Sequence, residues 1–250
     1  MHFGGLTAIS NMDFQIDKGE TVAIIGPNGS GKTTFFNCLT GIYIPSAGKI
    51  YFNEQDITDL SPDQKFRLGI ARTFQNGRLF WGLNVLENVM MGMHSSHQSF
   101  LLGAIFRTAK NRKEERDAIK KAKEVLEFFS KDLLDQQGKL AKNLSYADRR
   151  RLEICRALAA DPQLLLLDEP AAGMDPLETE ELMQDIKRIK QHNPDLTLIT
   201  IEHDMKFVEG LADRVLCFNY GQKIAEGTFA EVSSDPLVIS AYLGEEEESA

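Results

Sequence analysis

The sequence predicts an α/β fold with a helical block inserted between residues 77 and 160. Three observations carry that expectation. The run Thr21-Val22-Ala23-Ile24-Ile25 leads straight into the glycine-rich stretch Gly26-Pro27-Asn28-Gly29-Ser30-Gly31-Lys32-Thr33-Thr34, and residues 33–39 then read as the first turns of a helix. Leu164-Leu165-Leu166-Leu167 is a continuous apolar run of strand length, as expected for a strand covered on both faces. Between the two, a β-rich composition gives way near Asn76 to helix formers that persist to about Ala160.

The elements follow in order. Residues 9–16 alternate well enough for a strand, closed by the turn Asp17-Lys18-Gly19-Glu20. Pro45-Ser46-Ala47-Gly48 is a turn, residues 48–52 resume a strand, residues 53–60 read as loop, and Ser61-Pro62-Asp63 opens a helix. Inside the helical block Ile119, Ala122, Leu126 and Phe129 form one apolar stripe, and the mixed charges of residues 110–123 read as its solvated face. Met90, Met91 and Met93 read as core filler. From Asp161 the pattern alternates again. Residues 178–191 form a helix with Leu182, Ile186 and Ile189 on one side, and residues 196–201 form a buried strand. Residues 215–218 and 223–226 flank Asn219-Tyr220-Gly221-Gln222 as a hairpin, and residues 245–248 read as a disordered acidic tail.

Composition excludes several classes. The 250 residues are 42% hydrophobic and 26% charged, enough for one sizeable domain with a subdomain. A net charge of -9 argues against a nucleic-acid-coating protein, whose affinity rests on neutralising phosphates. Cys38, Cys155 and Cys217 are odd in number and far apart, which suggests neither a disulfide framework nor a metal knuckle, and makes a reducing cytosol the expected home. The first residues lack the basic region and apolar core of a signal peptide, so none is expected. No apolar run approaches the ~18 residues that cross a bilayer, so any membrane role is expected to come through partners.

The chemistry concentrates in two places. Residues 26–34 fit G-x-x-x-x-G-K-[ST] in the strand–loop–helix context that makes a phosphate site. Glycines let backbone N–H groups converge on phosphate oxygens, and the helix start adds its positive dipole end. Lys32 would reach the β- and γ-phosphates and the Thr33 hydroxyl would ligate Mg²⁺. Asp168-Glu169-Pro170 ends the leucine strand where ligand crevices of α/β sheets lie, so Asp168 is assigned to the Mg²⁺ shell and Glu169 to the general base. Gln75 stands where the β-rich part meets the helical block, and His203 ends the strand 196–201, where an imidazole can bond a γ-phosphate or position water. Ser145 and Asp148 make an [ST]-x-x-[DE] capping box, opening a helix whose N-terminus is a second candidate phosphate site.

In this order the elements resemble the ATP-binding cassette of ABC transporters, and the likeness covers essentially the whole chain. Residues 26–34 match the Walker A motif, Gln75 the Q-loop glutamine, residues 144–148 the signature segment and residues 164–169 the Walker B strand. Gly173-Met174-Asp175 matches the D-loop, His203 the switch histidine, and Phe3 the aromatic that stacks on adenine. The stretches Phe3-Gly4-Gly5-Leu6-Thr7-Ala8, Ala71-Arg72-Thr73-Phe74-Gln75-Asn76, Pro170-Ala171-Ala172-Gly173-Met174 and Ser234-Asp235-Pro236-Leu237 are similar to subunits of branched-chain amino acid importers.

That resemblance implies a P-loop NTPase with a mixed sheet core, a helical insertion subdomain and N-terminal antiparallel β elements. It makes residues 1–250 one ATPase domain, with core 1–76 and 161–240, helical subdomain 77–160 and acidic tail 241–250. It implies ATP, bound by Gly26, Pro27, Asn28, Gly29, Ser30, Gly31, Lys32, Thr33 and Thr34 with Phe3 and Ser145, and Mg²⁺ among Thr33, Gln75 and Asp168. Glu169, His203 and Gln75 would be catalytic. The implied partners are a second cassette, identical or related, whose Ser145 grips the γ-phosphate in trans, two transmembrane permease subunits and a periplasmic substrate-binding protein; nucleic acid is not among them. The implied place is peripheral, on the cytoplasmic side of the inner membrane. Two departures stand out. Ala147 and Asp148 replace the family's glycine and Gln or Glu, so a methyl group is expected to hold back the phosphate or to strain the backbone. The chain starts almost at Phe3, so the edge strand that precedes this aromatic in the family is expected to be missing, and the resemblance supports adenine stacking less firmly than phosphate binding. Rival readings are a urea, amide or lipopolysaccharide transport ATPase, a soluble non-transport cassette, and a nucleotide-gated module without turnover.

Overall fold

The computed structural model describes residues 1–73, 79–93 and 109–248. Its strands are β1 (His2–Phe3), β2 (Leu6–Thr7), β3 (Thr21–Ile25), β4 (Tyr51–Phe52), β5 (Gln55–Asp56), β6 (Ile70–Arg72), β7 (Leu164–Asp168), β8 (Thr197–Ile201), β9 (Arg214–Asn219) and β10 (Gln222–Gly227). A six-stranded sheet runs in the order β10-β9-β3-β8-β7-β6. All its pairs are parallel except the β9–β10 hairpin, so the core is mixed, as expected. The small antiparallel pair β1–β2 stands at the N-terminus.

The strand sequences explain their places. β3, β7 and β8 are buried along their whole length, which is why they read as unbroken apolar runs rather than as alternation. Side chains still part by the period of two. Val22, Ile24, Leu164 and Leu166 pack with Phe35 and Phe36, whereas Leu165 and Leu167 pack on the opposite face with Leu182, Ile186 and Ile189. Each fully buried leucine contributes about 1.5–3 kcal/mol, so this strand alone is a large part of what holds the layers together.

The helices are α1 (Lys32–Leu39), α2 (Pro62–Arg67), α3 (Val85–Gly92), α4 (Ala109–Phe129), α5 (Lys131–Asp135), α6 (Tyr146–Leu158), α7 (Pro176–His192), α8 (Met205–Leu211), α9 (Phe229–Ser233) and α10 (Pro236–Glu248). Helix α2 starts after Ser61, as the sequence suggests, and Ser61 and Gln64 close a reciprocal capping box there. On α4 the residues Ala118, Ala122, Leu126 and Phe129 face inward, joining Val85, Val89, Leu133 and Leu152 in one cluster. Lys113, Arg116, Lys120 and Lys123 face solvent. Met93 is buried and Met90 packs against the same cluster.

Three expectations change. Residues 9–16 are not a strand. Their burial does alternate, but Asn11 takes φ +49° and no neighbouring strand pairs with them. The Arg214 guanidinium donates to the Gln15 carbonyl at 2.7 Å and the Lys223 ammonium to the Asp13 carbonyl at 2.8 Å, replacing part of a ladder. A cavity of about 650 Å³, lined by Met12, Phe14, Phe35, Phe52 and Ile57 among others, lies beside this segment and includes no residue of 26–34. The strand expected over 48–52 shrinks to Tyr51–Phe52 and pairs with β5, inside the expected loop. The acidic stretch 245–248 is not disordered in its backbone. It continues α10, because that helix is anchored by Val238 and Tyr242 one turn apart, and glutamate extends a helix readily.

Candidate nucleotide site

The site is built where β3 ends. Gly26 takes φ +140°, and a Cβ there would sit 2.1 Å from the Phe218 carbonyl oxygen. Gly31 takes φ +105° at the N-cap of α1, and its Cβ would lie 2.6 Å from the Ala8 carbonyl oxygen. Only glycine satisfies both positions, so the loop is clamped between β9 and the N-terminal segment. The β9–β10 turn adds a bond from the Gly221 N–H to the Ser30 carbonyl at 2.9 Å.

What the loop can hold follows from its donors. Ser61, Asn84, Ser130, Ser145, Asp175, Asp204 and Thr228 each cap a helix with a side chain, whereas α1 has no side-chain cap. Its first N–H groups, on Lys32, Thr33 and Thr34, are therefore presented at a positive helix end, the donor set that suits phosphate oxygens. The Ser30 hydroxyl is buried and has no hydrogen-bond partner among the described residues. Lys32 is 6% exposed and its ammonium donates to the carbonyls of Gly26 at 2.5 Å and Pro27 at 2.8 Å, inside the loop's own curl. Thr33 is exposed and Asn28 and Gly29 lie on the open rim. The residues fit a Mg²⁺-bound polyphosphate.

Asp168 is held beside this loop by Arg72, a residue that no phosphate-site motif marks. The Arg72 guanidinium, on β6, donates to Asp168 at 2.7 Å and to the Asn37 amide oxygen, also at 2.7 Å. Asn37 is one helical turn from Thr33, so the ion pair sets the Asp168 carboxylate alongside the face of α1 that carries the threonine. Both ends of the pair are buried, at 5% and 3% side-chain exposure, so each depends on the other for compensation.

Glu169 follows at φ +49°, an unusual conformation for a residue with a side chain, held by its N–H to the Ile201 carbonyl at 2.9 Å. The turn swings its carboxylate to 3.3 Å from His203 Nε2, across the carboxyl ends of β7 and β8. The expected general base Glu169 and His203 are thus brought together. Between them in the fold lies Glu202, which no sequence motif marks. Its buried carboxylate accepts the N–H groups of Ala171 at 2.8 Å and His203 at 3.1 Å, tying the turn after β7 to the turn after β8. Burial pushes the Glu202 carboxyl up to about 7, against the pull of those backbone donors. Between pH ~4.5 and ~7 the folded protein therefore keeps a proton that the unfolded chain has lost, and stability falls as pH rises through that window. Glu202→Gln is expected to remove this pH dependence. In urea unfolding, the variant should gain about 2 kcal/mol on the wild type between pH 5 and pH 8.

The signature segment is placed differently. The Ser145 hydroxyl accepts the Asp148 N–H at 3.1 Å, and its own hydrogen remains available to donate. The reciprocal half of the capping box is missing, because the Asp148 carboxylate takes the Gln136 amide at 3.3 Å instead. Among the described residues Ser145 makes no hydrogen bond to residues 26–34 of its own chain. The Tyr146 hydroxyl, another feature missed, donates to the Ala172 carbonyl at 2.8 Å and docks the start of α6 on the turn that follows Glu169. Ala147 carries no strain: it sits in α6, has no positive φ, and is 3% exposed with its methyl group packed inward. Phe3 is 39% exposed and its ring meets Tyr43 edge-on with centroids 5.1 Å apart. Gln75 lies outside the described residues.

Known proteins resolve what this arrangement is. Residues 9–172 match the family model of the ABC transporter. The chain belongs to the ABC transporter ATP-binding family. A second model, the branched-chain amino acid ATP-binding cassette transporter, matches residues 222–248 of this cassette, from β10 through α10. The cassette is 43% identical to the high-affinity branched-chain amino acid transport ATP-binding protein LivG of Salmonella typhimurium over 98% of this chain and 95% of that protein. Among solved structures, the ADP conformation of MJ1267, an ATP-binding cassette of an ABC transporter, matches with a TM-score of 0.83 at 33% identity, covering 98% of this chain and 95% of that one. The dimeric post-hydrolysis state of the cassette MJ0796, bound to ADP and Pi, matches with a TM-score of 0.74 at 25% identity, covering 90% and 91%.

Proposed function

We propose that this cassette is the ATP-hydrolysing subunit of an ABC importer for branched-chain amino acids. The observation that carries the catalytic part is the 3.3 Å contact between Glu169 and His203 at the ends of adjacent parallel strands, next to a glycine loop whose helix lacks a side-chain cap. Gly26, Pro27, Asn28, Gly29, Ser30 and Gly31 shape the loop; the N–H groups of Lys32, Thr33 and Thr34 and the Lys32 ammonium hold the β- and γ-phosphates of ATP. Thr33, Asp168 and Gln75 would hold Mg²⁺, which when bound neutralises charge on the phosphate oxygens. Glu169 accepts the proton of the attacking water, and His203 orients that carboxylate. Phe3 offers the exposed ring on which adenine stacks.

Ser145 serves a second cassette. Its hydroxyl hydrogen remains available and it makes no hydrogen bond to its own phosphate loop among the described residues, so a head-to-tail dimer would give it a γ-phosphate to grip; the similar cassette MJ0796 is dimeric in its post-hydrolysis state. Closure and reopening of that dimer would move two transmembrane permease subunits, with a periplasmic substrate-binding protein delivering cargo. Paired with those permease subunits, the cassette would sit peripherally on the cytoplasmic face; no helix among its described residues is long and apolar enough to cross a membrane. The match of residues 222–248 and the LivG likeness support branched-chain amino acids as the cargo.

The test is reconstitution in liposomes with the permease subunits that co-purify. The expected result is ATP-driven uptake of labelled leucine that unlabelled isoleucine and valine, but not urea, suppress. Uptake that is indifferent to isoleucine and valine overturns the cargo assignment, and no ATP hydrolysis by the assembled complex overturns the whole reading.

A further inference from the structure

The first glycine of the phosphate loop has a partner at the other end of the chain. The Gly26 N–H donates to the Tyr242 hydroxyl at 2.8 Å, across 216 residues of sequence. On the other side of the same residue, the Gly26 carbonyl accepts the Lys32 ammonium at 2.5 Å. Both peptide units that flank the Gly26 Cα are therefore fixed, the one shared with Ile25 by a tyrosine of the last helix and the one shared with Pro27 by the lysine of the phosphate site.

The surroundings make the tyrosine bond more than incidental. Gly26 is buried and pressed against the Phe218 carbonyl, so its N–H has little access to water. A buried N–H that loses its acceptor bears the full desolvation cost, and the least costly relief is to rotate the peptide. Rotation here shifts Pro27 and the curl of the loop, including the carbonyls that hold Lys32. Tyr242 is meanwhile seated by its ring: it packs with Val238, one turn earlier on α10, against a cluster containing Ile25, Val215 and Cys217. A rigid aromatic lever thus joins the packing of α10 to the orientation of the phosphate loop.

We propose that Tyr242 is a positioning residue for the phosphate loop, and that α10 sets nucleotide affinity through its hydroxyl. The inference rests on residues 26–34 being the nucleotide site. The Tyr242 hydroxyl touches the loop at Gly26, whereas the hydrolytic pair Glu169 and His203 stands at the ends of β7 and β8, so its effect falls on binding and not on the hydrolytic step.

Tyr242→Phe in the full chain separates the hydroxyl from the ring. The expected result is about 3–10-fold weaker binding of a fluorescent ADP analogue, the worth of one hydrogen bond. In the assembled transporter the KM for ATP should rise by a similar factor with kcat unchanged. Hydrogen exchange at the Gly26 amide should quicken while the amides of β3 keep their protection. A merely structural tyrosine would lower the unfolding midpoint without moving KM under conditions where the variant is fully folded. An unchanged ADP affinity in the variant, beside a wild type that binds, overturns this inference alone. A wild type that fails to bind ADP overturns the nucleotide site, and the inference with it.

Discussion

Glu169→Gln lowers the rate of ATP hydrolysis by roughly 10²–10⁴-fold, the usual worth of a general base, while the affinity for Mg-ATP stays within about threefold of wild type. The separation follows from geometry. Glu169 sits on the turn after β7, with its carboxylate 3.3 Å from His203 Nε2, at the strand end from which water would attack and not at the glycine loop's own N–H groups. Glutamine keeps the size and one acceptor, so the left-handed turn and the bond from the Glu169 N–H to Ile201 survive, but the amide cannot take a proton from water. Steady-state hydrolysis by the reconstituted complex, set against equilibrium nucleotide binding, measures both halves. Turnover equal to wild type would move the base to another residue.

Lys32→Ala has the opposite signature: it removes binding. Its ammonium lies in the curl of the loop, 2.8 Å or less from the carbonyls of Gly26 and Pro27. Charge-assisted hydrogen bonds are worth about 1.5–3 kcal/mol each, so losing the lysine should weaken Mg-ATP binding by at least roughly 10²-fold. Hydrolysis should fall below detection at ordinary ATP concentrations. Titration with a fluorescent ATP analogue reads the affinity directly. An affinity within a few-fold of wild type would mean that the backbone N–H groups suffice without the charge.

How much of this could be read in advance depended on how local the cause was. The strand–glycine loop–helix unit was legible because its residues are contiguous: two obligatory glycines, a lysine and a threonine lie in one short stretch between β3 and α1. The buried strands β7 and β8 were legible because burial on both faces leaves no choice of residue type. The strand expected over residues 9–16 failed for the converse reason. Alternation reports which side chains face inward, but a strand also needs a neighbour for its backbone, and here side chains of Arg214 and Lys223 take two of the carbonyls. The expected strain at Ala147 disappears because the residue lies inside α6, where a methyl group is an asset.

The sequence by itself determined the class of chemistry, since the identities of Lys32, Thr33, Asp168, Glu169 and His203 restrict what a phosphate site can do. Only the tertiary structure decided which distant groups hold those residues in place. Arg72 pins Asp168, Glu202 joins the turns that carry Glu169 and His203, Tyr146 docks the signature helix, and Tyr242 holds Gly26. Each of these bonds joins residues that are 26 to 216 positions apart, apart from the adjacent Glu202–His203 bond. A side chain declares its chemistry in its own letter, but its partner is chosen by how the sheet and helices bring remote segments within 3 Å.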